Sequence, residues 1–309
     1  MLATSPQALG VEAYLGVQAS RYAHLSAGVI ILYDYATTFD QEVSLVWQGP
    51  LSIGKLLFIS SRYYALFATI FDFYGLFSPP DSTSFCTKFY RWQGWTSIVV
   101  TMLAQGILQL RVYALYTKNR RVLMAMVTLF LLSISFAALI MGEILSELIV
   151  MVSPIPPLGR FCSIDTSKIM RISHVFWLPA IIFDTFLSVL AIIKSCKLRK
   201  SLANSVFRQT GEKLVDILFR DSAIYFFVIT ATYVTCMVIW IIDPRRLTEL
   251  PLGFAVAFPC VVSNRMVLNL RGIRQRSHMQ SGALGNATNY GTSPWFGFTV
   301  HRQEDTYLS

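Results

Sequence analysis

Among the ionisable side chains inside the apolar stretches of the sequence, three are candidates for a charge pair: Asp34, Arg62 and Asp184. A charge is costly in apolar surroundings unless it pairs with an opposite charge or takes part in binding or proton transfer. Each of the three is therefore a candidate for function. Arg62 and Asp184 lie at similar depths in their stretches, and Asp34 belongs to the stretch that precedes Arg62, within reach of a long arginine side chain. We therefore expect Arg62 to pair with Asp34 or with Asp184. Such a pair is either a structural contact that fixes packing or part of a ligand or proton site.

The elements that position these charges are expected to be membrane-spanning helices, because the composition does not suit a soluble domain. The chain has 309 residues, of which 54% are hydrophobic and only 14% are charged, and its mean hydropathy is +0.52. Soluble domains are about 25% charged. Neither a soluble enzyme nor a disordered regulator is expected. The 5 cysteines are too few for a disulfide-dense secreted module.

Seven apolar stretches are long enough to cross a bilayer as helices. Their approximate bounds are 20–39, 51–71, 92–116, 122–141, 172–193, 219–242 and 250–270. The predicted fold class is all-α, a bundle of seven transmembrane helices over residues 20–271. Residues 1–19 are predicted to be an extracytoplasmic segment. Residues 272–309 are rich in Gly, Ser, Asn and Thr, and they are predicted to be a disordered cytoplasmic tail.

The distribution of basic residues predicts the orientation, with loop n defined as the connection from span n to span n+1. Loop 3, loop 5 and the tail carry more Lys and Arg than the loops on the opposite side, which places the N-terminus outside and the C-terminus in the cytoplasm. Loop 3, for example, holds Lys118, Arg120 and Arg121. The net charge of +9 then reflects attraction to membrane lipid and not a nucleic-acid partner. The sequon at Asn286 falls in the tail and should stay unmodified.

In this orientation two cysteines lie outside, Cys86 in loop 2 and Cys162 in loop 4. Disulfides persist on that side of a membrane, so we predict a bridge between them. The alternative is two free thiols. The same tie, from the outer end of helix three to the loop after helix four, is found in seven-helix G-protein-coupled receptors.

The sequence contains no motif for catalysis or for a bound cofactor. It has no P-loop, no Gly-rich dinucleotide turn, no H-E-x-x-H and no G-x-S-x-G. Four histidines, His24, His174, His278 and His301, lack the spacing of metal ligands. We therefore predict no catalytic residues, no metal and no cofactor, and hence no enzyme.

A set of residues in the first quarter of the chain forms a recognisable signature. Its members are Tyr33, Asp34, Tyr35, Thr38, Glu42, Val43, Trp47, Lys55, Leu57, Phe58, Arg62 and Tyr63. The pattern resembles the N-terminal signature of a fungal, largely basidiomycete, family of multi-span membrane proteins with domain of unknown function 6533 (DUF6533). The resemblance implies an integral membrane protein of fungal type, and no activity is assigned to that family. Within the signature, Glu42 and Lys55 flank loop 1 and are expected to close it by an ion pair.

The likeness to G-protein-coupled receptors rests on topology and on the cysteine pair. Arg111 and Tyr113 lie near the cytoplasmic end of span three, where those receptors carry an acidic residue before the arginine. Here Leu110 takes that position, and span seven lacks the asparagine-proline-x-x-tyrosine motif. Direct coupling to a G protein is therefore not expected.

Three functions fit these observations. The favoured one is a seven-helix receptor-like or sensor protein, whose ligand is unknown and whose loops 3 and 5 dock a cytoplasmic partner. The alternatives are a small-solute or proton transporter that uses Arg62, and a non-catalytic membrane scaffold in which the charges only fix packing. The protein is expected to be multi-pass, in the plasma membrane and not in an internal membrane.

Overall fold

The computed structural model describes residues 6–78, 80, 82–116, 119–155, 159–165, 173–203, 208–242 and 247–289. Over these ranges the chain forms seven long helices and one β-hairpin. In chain order they are α1 (Pro6–Glu42), α2 (Ile53–Phe77), α3 (Thr83–Leu115), α4 (Arg120–Ser146), β1 (Ile149–Ile155), β2 (Gly159–Asp165), α5 (Leu178–Ala203), α6 (Arg208–Ile242) and α7 (Leu252–Asn289). The predicted all-α fold with seven helices is confirmed. Lys118 of loop 3 and residues 290–309 of the predicted tail lie outside the described residues.

Six of the described helices, α2 to α7, are long and apolar enough to cross a membrane. The chain is therefore a multi-span helical membrane protein. The predicted first span, residues 20–39, lies within α1, which contains no span-length stretch as apolar as those of the other six helices, because His24, Asp34 and several tyrosines interrupt it. With 37 residues, α1 is about 55 Å long, which exceeds the ~30 Å thickness of a bilayer's hydrocarbon core.

Polar side chains fix where three of the helices begin. Ser52 accepts a hydrogen bond from the backbone N–H of Lys55 at the start of α2, and Ser82 does the same for α3. Asn119 caps α4 in the same way. A cap of this kind satisfies a helix N–H group that has no partner within the helix. The cap at Ser82 explains why α3 begins earlier than the predicted boundary at residue 92.

The C-terminal helix is longer than predicted. It continues to Asn289, through the first part of the segment for which the composition predicted no regular structure. The chain divides into two compact units, Met1–Leu268 and Asn269–Ser309. The described part of the second unit, residues 269–289, is helical.

A two-stranded antiparallel hairpin, which the sequence analysis did not predict, occupies the connection between α4 and α5. Val152 of β1 lies opposite Cys162 of β2. Along β1, Val150 is buried while Ile149 and Met151 are exposed, as the two-residue period of a strand requires. Val150 packs against Cys86, Phe89 and Tyr90 at the start of α3. We call this end of the bundle the hairpin end.

Small residues allow the first helices to pack closely. A Cβ atom at Gly28 in α1 would overlap the ring of Phe73 in α2, and one at Gly75 in α2 would overlap the ring of Phe89 in α3. Close approach through small residues is a common way for membrane helices to associate, since lipid supplies no hydrophobic force between them. At both positions a large aromatic ring fills the space that the missing side chain leaves.

An apolar layer lies where α1 packs against the first turns of α7, between the two polar groups of the bundle. Ala27 and Ile31 of α1 are buried against Ala257 of α7, and Leu66 and Val261 pack around them. Polar side chains lie on both sides of this layer, and they form the two groups described next.

Candidate functional site

Arg62 forms the centre of a buried polar cluster at the end of the bundle opposite the hairpin. Its Nε atom is 2.7 Å from Oε2 of Glu42, and its Nη1 atom is 3.6 Å from Oδ2 of Asp34. Its Nη2 atom donates to the hydroxyl of Thr38 at 2.8 Å and to the backbone carbonyl of Tyr35 at 3.1 Å. The side chains of Arg62 and Glu42 are only 3% and 0% exposed. The guanidinium therefore has carboxylate, hydroxyl and carbonyl acceptors around it.

A second arginine joins this cluster from α7. Nε of Arg265 donates to Oδ1 of Asp34, so Asp34 lies between two guanidinium groups. We call Asp34, Glu42, Arg62 and Arg265 the charge cluster. It contains two acids and two arginines, so its formal charges cancel. A balanced and hydrogen-bonded arrangement is the form in which charges persist inside a membrane protein.

A short π-helical turn, Val43–Trp47, follows α1 and shapes the cluster. The wider turn lets the indole N–H of Trp47 donate to Oε1 of Glu42, five residues earlier, at 2.9 Å. The hydroxyl of Tyr63 donates to the same oxygen at 3.0 Å. Single π-helical turns often occur at functional sites. Here the turn holds Glu42 in a fixed position beside Arg62.

The expected ion pair between Glu42 and Lys55 is wrong. Glu42 is directed into the bundle, where it meets Arg62. Nζ of Lys55 instead donates to the backbone carbonyls of Trp47 at 3.0 Å and Gly49 at 2.8 Å. Lys55 still closes loop 1, but it does so through carbonyl groups left unpaired where the π-helical turn ends.

Asp184 is not the partner of Arg62. It is buried in α5, where its Oδ1 atom accepts a hydrogen bond from Nε2 of Gln105 in α3 at 3.1 Å. The sequence left two partners open for Arg62, Asp34 and Asp184. In the structure Arg62 pairs with Asp34. Depth in the membrane suggested both acids. Of the two helices that carry them, α1 packs against α2, whereas the acid of α5 is bonded to α3.

The other signature residues divide between the core and the surface. Phe58 is fully buried with Val46 and Leu268 beneath the charge cluster. Arg62 lies over the rings of Tyr35 and Phe58, at 4.9 and 5.8 Å from their centres. The exposed members are Tyr33, Val43 and Trp47, and the half-buried members are Tyr35, Lys55, Leu57 and Tyr63.

The hairpin end holds a second polar group that the sequence analysis did not identify as a site. Nδ1 of His24 in α1 is 3.8 Å from Oδ2 of Asp72 in α2, and its Nε2 is 3.0 Å from the backbone carbonyl of Glu249. Asp72 was missed because the predicted span ended at Phe71. The available signal was spacing: His24 precedes Asp34, and Asp72 follows Arg62, by the same number of residues, about 15 Å of helix.

This polar group faces a cavity of about 90 Å³ between α1, α2, α3, α4, α6 and α7. Its polar lining includes His24, Asp72, Tyr90, Gln93 and Glu249. Its apolar lining includes Met141, Leu145, Phe176, Trp240 and Val256. We call it the hairpin-end cavity. Its volume would hold several water molecules or a small organic group, given ~10–15 Å³ for each water.

The predicted disulfide between Cys86 and Cys162 is present and lies next to this cavity. It joins the first turn of α3 to β2. The hydroxyl of Tyr90, which lines the cavity, donates to the backbone carbonyl of Cys162 at 3.3 Å, and Ile164 of β2 lines the cavity itself. The bridge thus holds the hairpin against the cavity wall.

Glu249 lies in the connection between α6 and α7, outside the membrane-spanning segments. Burial raises the pKa of its carboxyl group from 4.5 to about 7, and the nearby amide of Gln93 opposes that shift. Its proton occupancy therefore changes near neutral pH. Within the described ranges, no group of three or more His, Cys, Asp and Glu side chains is arranged to hold a metal ion.

The segment that carries most of the charge cluster matches a known family. A family model described as "Family of unknown function (DUF6533)" matches residues 22–67. The matched segment includes Asp34, Glu42 and Arg62, and it ends before Asp72. No curated protein matches the chain. The N-terminal part of this multi-span helical membrane protein is thus similar to that family.

Proposed function

We propose that the protein is a non-enzymatic, receptor-like or sensor protein of the plasma membrane, which binds a small molecule in the hairpin-end cavity. The observation that carries the proposal is that the same three helices form both polar sites. α1 contributes His24 and Asp34, and α2 contributes Asp72 and Arg62. The third helix, α7, lines the cavity with Val256 and supplies Arg265 to the charge cluster.

A shared set of helices provides a physical route for coupling. A ligand that changes the packing of α1, α2 and α7 at the hairpin end alters the helix positions on which the charge cluster depends. In the proposed switch these ion pairs are formed in one state and separated in the other. In the proposed orientation the hairpin end faces outside and the charge cluster faces the cytoplasm, where loops 3 and 5 would dock a partner.

The apolar layer closes one path that a transporter could use, the path between α1 and α7. A transporter of protons or small solutes needs polar groups or water along its path. Where α1 meets α7 between the two polar sites, Ala27, Ile31 and Ala257 are buried and offer no such group at that contact. The cavity, in turn, favours a receptor over a scaffold, because a scaffold needs no space lined with buried acids.

A cavity-filling substitution tests the coupling without a known ligand. Ser97 lines the cavity, so Ser97→Phe would occupy it. The readout is a fluorophore on Cys196, which is exposed near the predicted cytoplasmic end of α5, whereas the other free cysteines, Cys236 and Cys260, are buried. Purified protein in nanodiscs should show a changed emission for Ser97→Phe. The matched control is Thr235→Phe on an exposed face of α6, which should leave the emission unchanged.

If Ser97→Phe folds with its disulfide intact and its emission equals that of the wild type, the two ends are not coupled and the receptor proposal is wrong. A scaffold gives that result. A transporter is indicated instead if proteoliposomes show solute or proton flux that Arg62→Leu abolishes.

A further inference from the structure

Three polar atoms around the hairpin-end cavity lack partners. Asp72 and Gln93 are each 7% exposed and both line the cavity. Oδ1 of Asp72, Nε2 of Gln93 and Oε2 of Glu249 are buried, and none has a hydrogen-bond partner within the described part of the chain. Buried polar atoms are nearly always paired in native proteins. The carboxyl group of Asp72 therefore presents a free oxygen to a space that a ligand can occupy, and the Gln93 amide and the Glu249 carboxyl adjoin each other at the wall of that space.

The charges around the cavity are mainly acidic. Asp72 and Glu249 supply two carboxyl groups, from α2 and from the connection before α7. The Nε2 atom of His24 faces a carbonyl, which can only accept, so that nitrogen carries the proton. Arg21 of α1 lies over the ring of Phe77 at 5.7 Å and is not among the residues that line the cavity. Among the described residues, the lining thus holds two acids and no Lys or Arg, which favours a positively charged occupant.

The remaining walls of the cavity are apolar and partly aromatic. Phe176 and Trp240 line one side, and Met141, Leu145 and Val256 line the rest. Aromatic faces attract cations, and they also accept apolar groups. A volume of about 90 Å³ limits the occupant to a compact molecule.

We propose that the hairpin-end cavity binds a small organic ammonium ion, whose charged group lies between Asp72 and Glu249 and whose apolar group lies against Phe176 and Trp240. The amide of Gln93 would bind a polar substituent of the same ligand. This inference names the ligand class of the receptor and so rests on the proposed function.

Three probes of equal size and different charge test the ligand class: benzylamine, benzyl alcohol and benzoate. Each is titrated calorimetrically into the full-length protein in nanodiscs, with empty nanodiscs as the blank. Benzylamine should bind at least tenfold more tightly than benzyl alcohol, and benzoate should not bind. Asp72→Asn and Glu249→Gln, which keep the side-chain size, should each weaken benzylamine binding at least tenfold and leave benzyl alcohol binding unchanged.

The matched control is Glu143→Gln, since Glu143 is an exposed acid of α4 near the same end of the bundle. It should leave benzylamine binding unchanged. Each variant is checked for its disulfide and for its melting temperature, so that a misfolded protein is recognised before titration.

Several results would overturn the inference. Equal affinities for benzylamine and benzyl alcohol would make the cavity an apolar ligand site, and an unaffected Asp72→Asn variant would exclude the carboxylate contact. Absence of binding by all three probes would mean that water alone satisfies the free polar atoms. If benzylamine binds as expected and the label on Cys196 does not respond, the ligand class stands and the receptor function fails.

Discussion

Replacing Arg62 by leucine should destabilise the protein strongly, because the change removes one side of a buried ion pair. Glu42 is 0% exposed and lies 2.7 Å from Nε of Arg62. Removing one partner of such a pair costs about 3–5 kcal/mol, most of it from the charge left behind. Glu42 keeps its hydrogen bonds from Trp47 and Tyr63, and Asp34 keeps Arg265. We therefore expect the lower value, about 3 kcal/mol.

The assay is thermal unfolding of purified protein in nanodiscs. A loss of 1 kcal/mol lowers the melting temperature of a large domain by about 2–4 °C, so Arg62→Leu should lower it by roughly 6–12 °C. The double variant Arg62→Leu with Glu42→Leu should recover at least half of that loss, because an apolar pair replaces an unpaired charge. Lys55→Met is the control. It removes only two hydrogen bonds to backbone carbonyls and should lower the melting temperature by a few degrees, about 1 kcal/mol.

Two results would refute this reasoning. A loss for Arg62→Leu no larger than that for Lys55→Met would mean that the cluster is hydrated and its charges need no pairing. A loss in the double variant equal to the sum of the two single losses would show that Arg62 and Glu42 contribute independently.

Three further predictions concern the bridge, the orientation and pH. Replacing Cys86 and Cys162 by serine should lower the free energy of unfolding by about 4 kcal/mol, because the bridge closes a loop over a sequence separation of 76. Reductant should lower the melting temperature of the wild type by a similar amount and leave that of the double variant unchanged. In microsomes Asn286 should resist glycosidase because it carries no glycan, and the two thiols should react only after reduction. A glycosidase shift would place the tail outside. Because the folded-state pKa of Glu249 is raised to about 7, its unfolded state ionises first as the pH rises, so stability should fall between about pH 4.5 and 7. Comparison with Glu249→Gln should show a difference of up to about 3 kcal/mol that disappears below pH 4.5.

The sequence was sufficient to predict the helices, because apolar stretches long enough to cross a bilayer have few other structures available. The pairing of Cys86 with Cys162 followed from topology alone. The helix boundaries were less accurate at α1, α3, α5, α6 and α7, where the helix continues beyond the apolar stretch.

Other features depended on contacts that the sequence could not supply. Glu42 and Lys55 looked like a pair because they flank one loop, yet the π-helical turn directs Glu42 into the bundle and leaves Lys55 at the carbonyls. Asp72 lies one residue beyond the predicted span, so its burial against His24 was not foreseen. Similarly, Glu249 is brought to the cavity by the path of the connection before α7, and no periodic pattern in the sequence indicates that path.

The interlocked glycines and aromatic rings of α1, α2 and α3 constrain how this sequence can diverge. No side chain fits at position 28 while position 73 holds phenylalanine. In the same way, no side chain fits at position 75 while position 89 holds phenylalanine. A larger residue can become established at either glycine only together with, or after, a smaller one at its partner. Among descendants of a common ancestor, positions 28 and 73 should therefore change as one pair and positions 75 and 89 as another. The order of the two steps should be fixed as well, with the ring lost before the glycine.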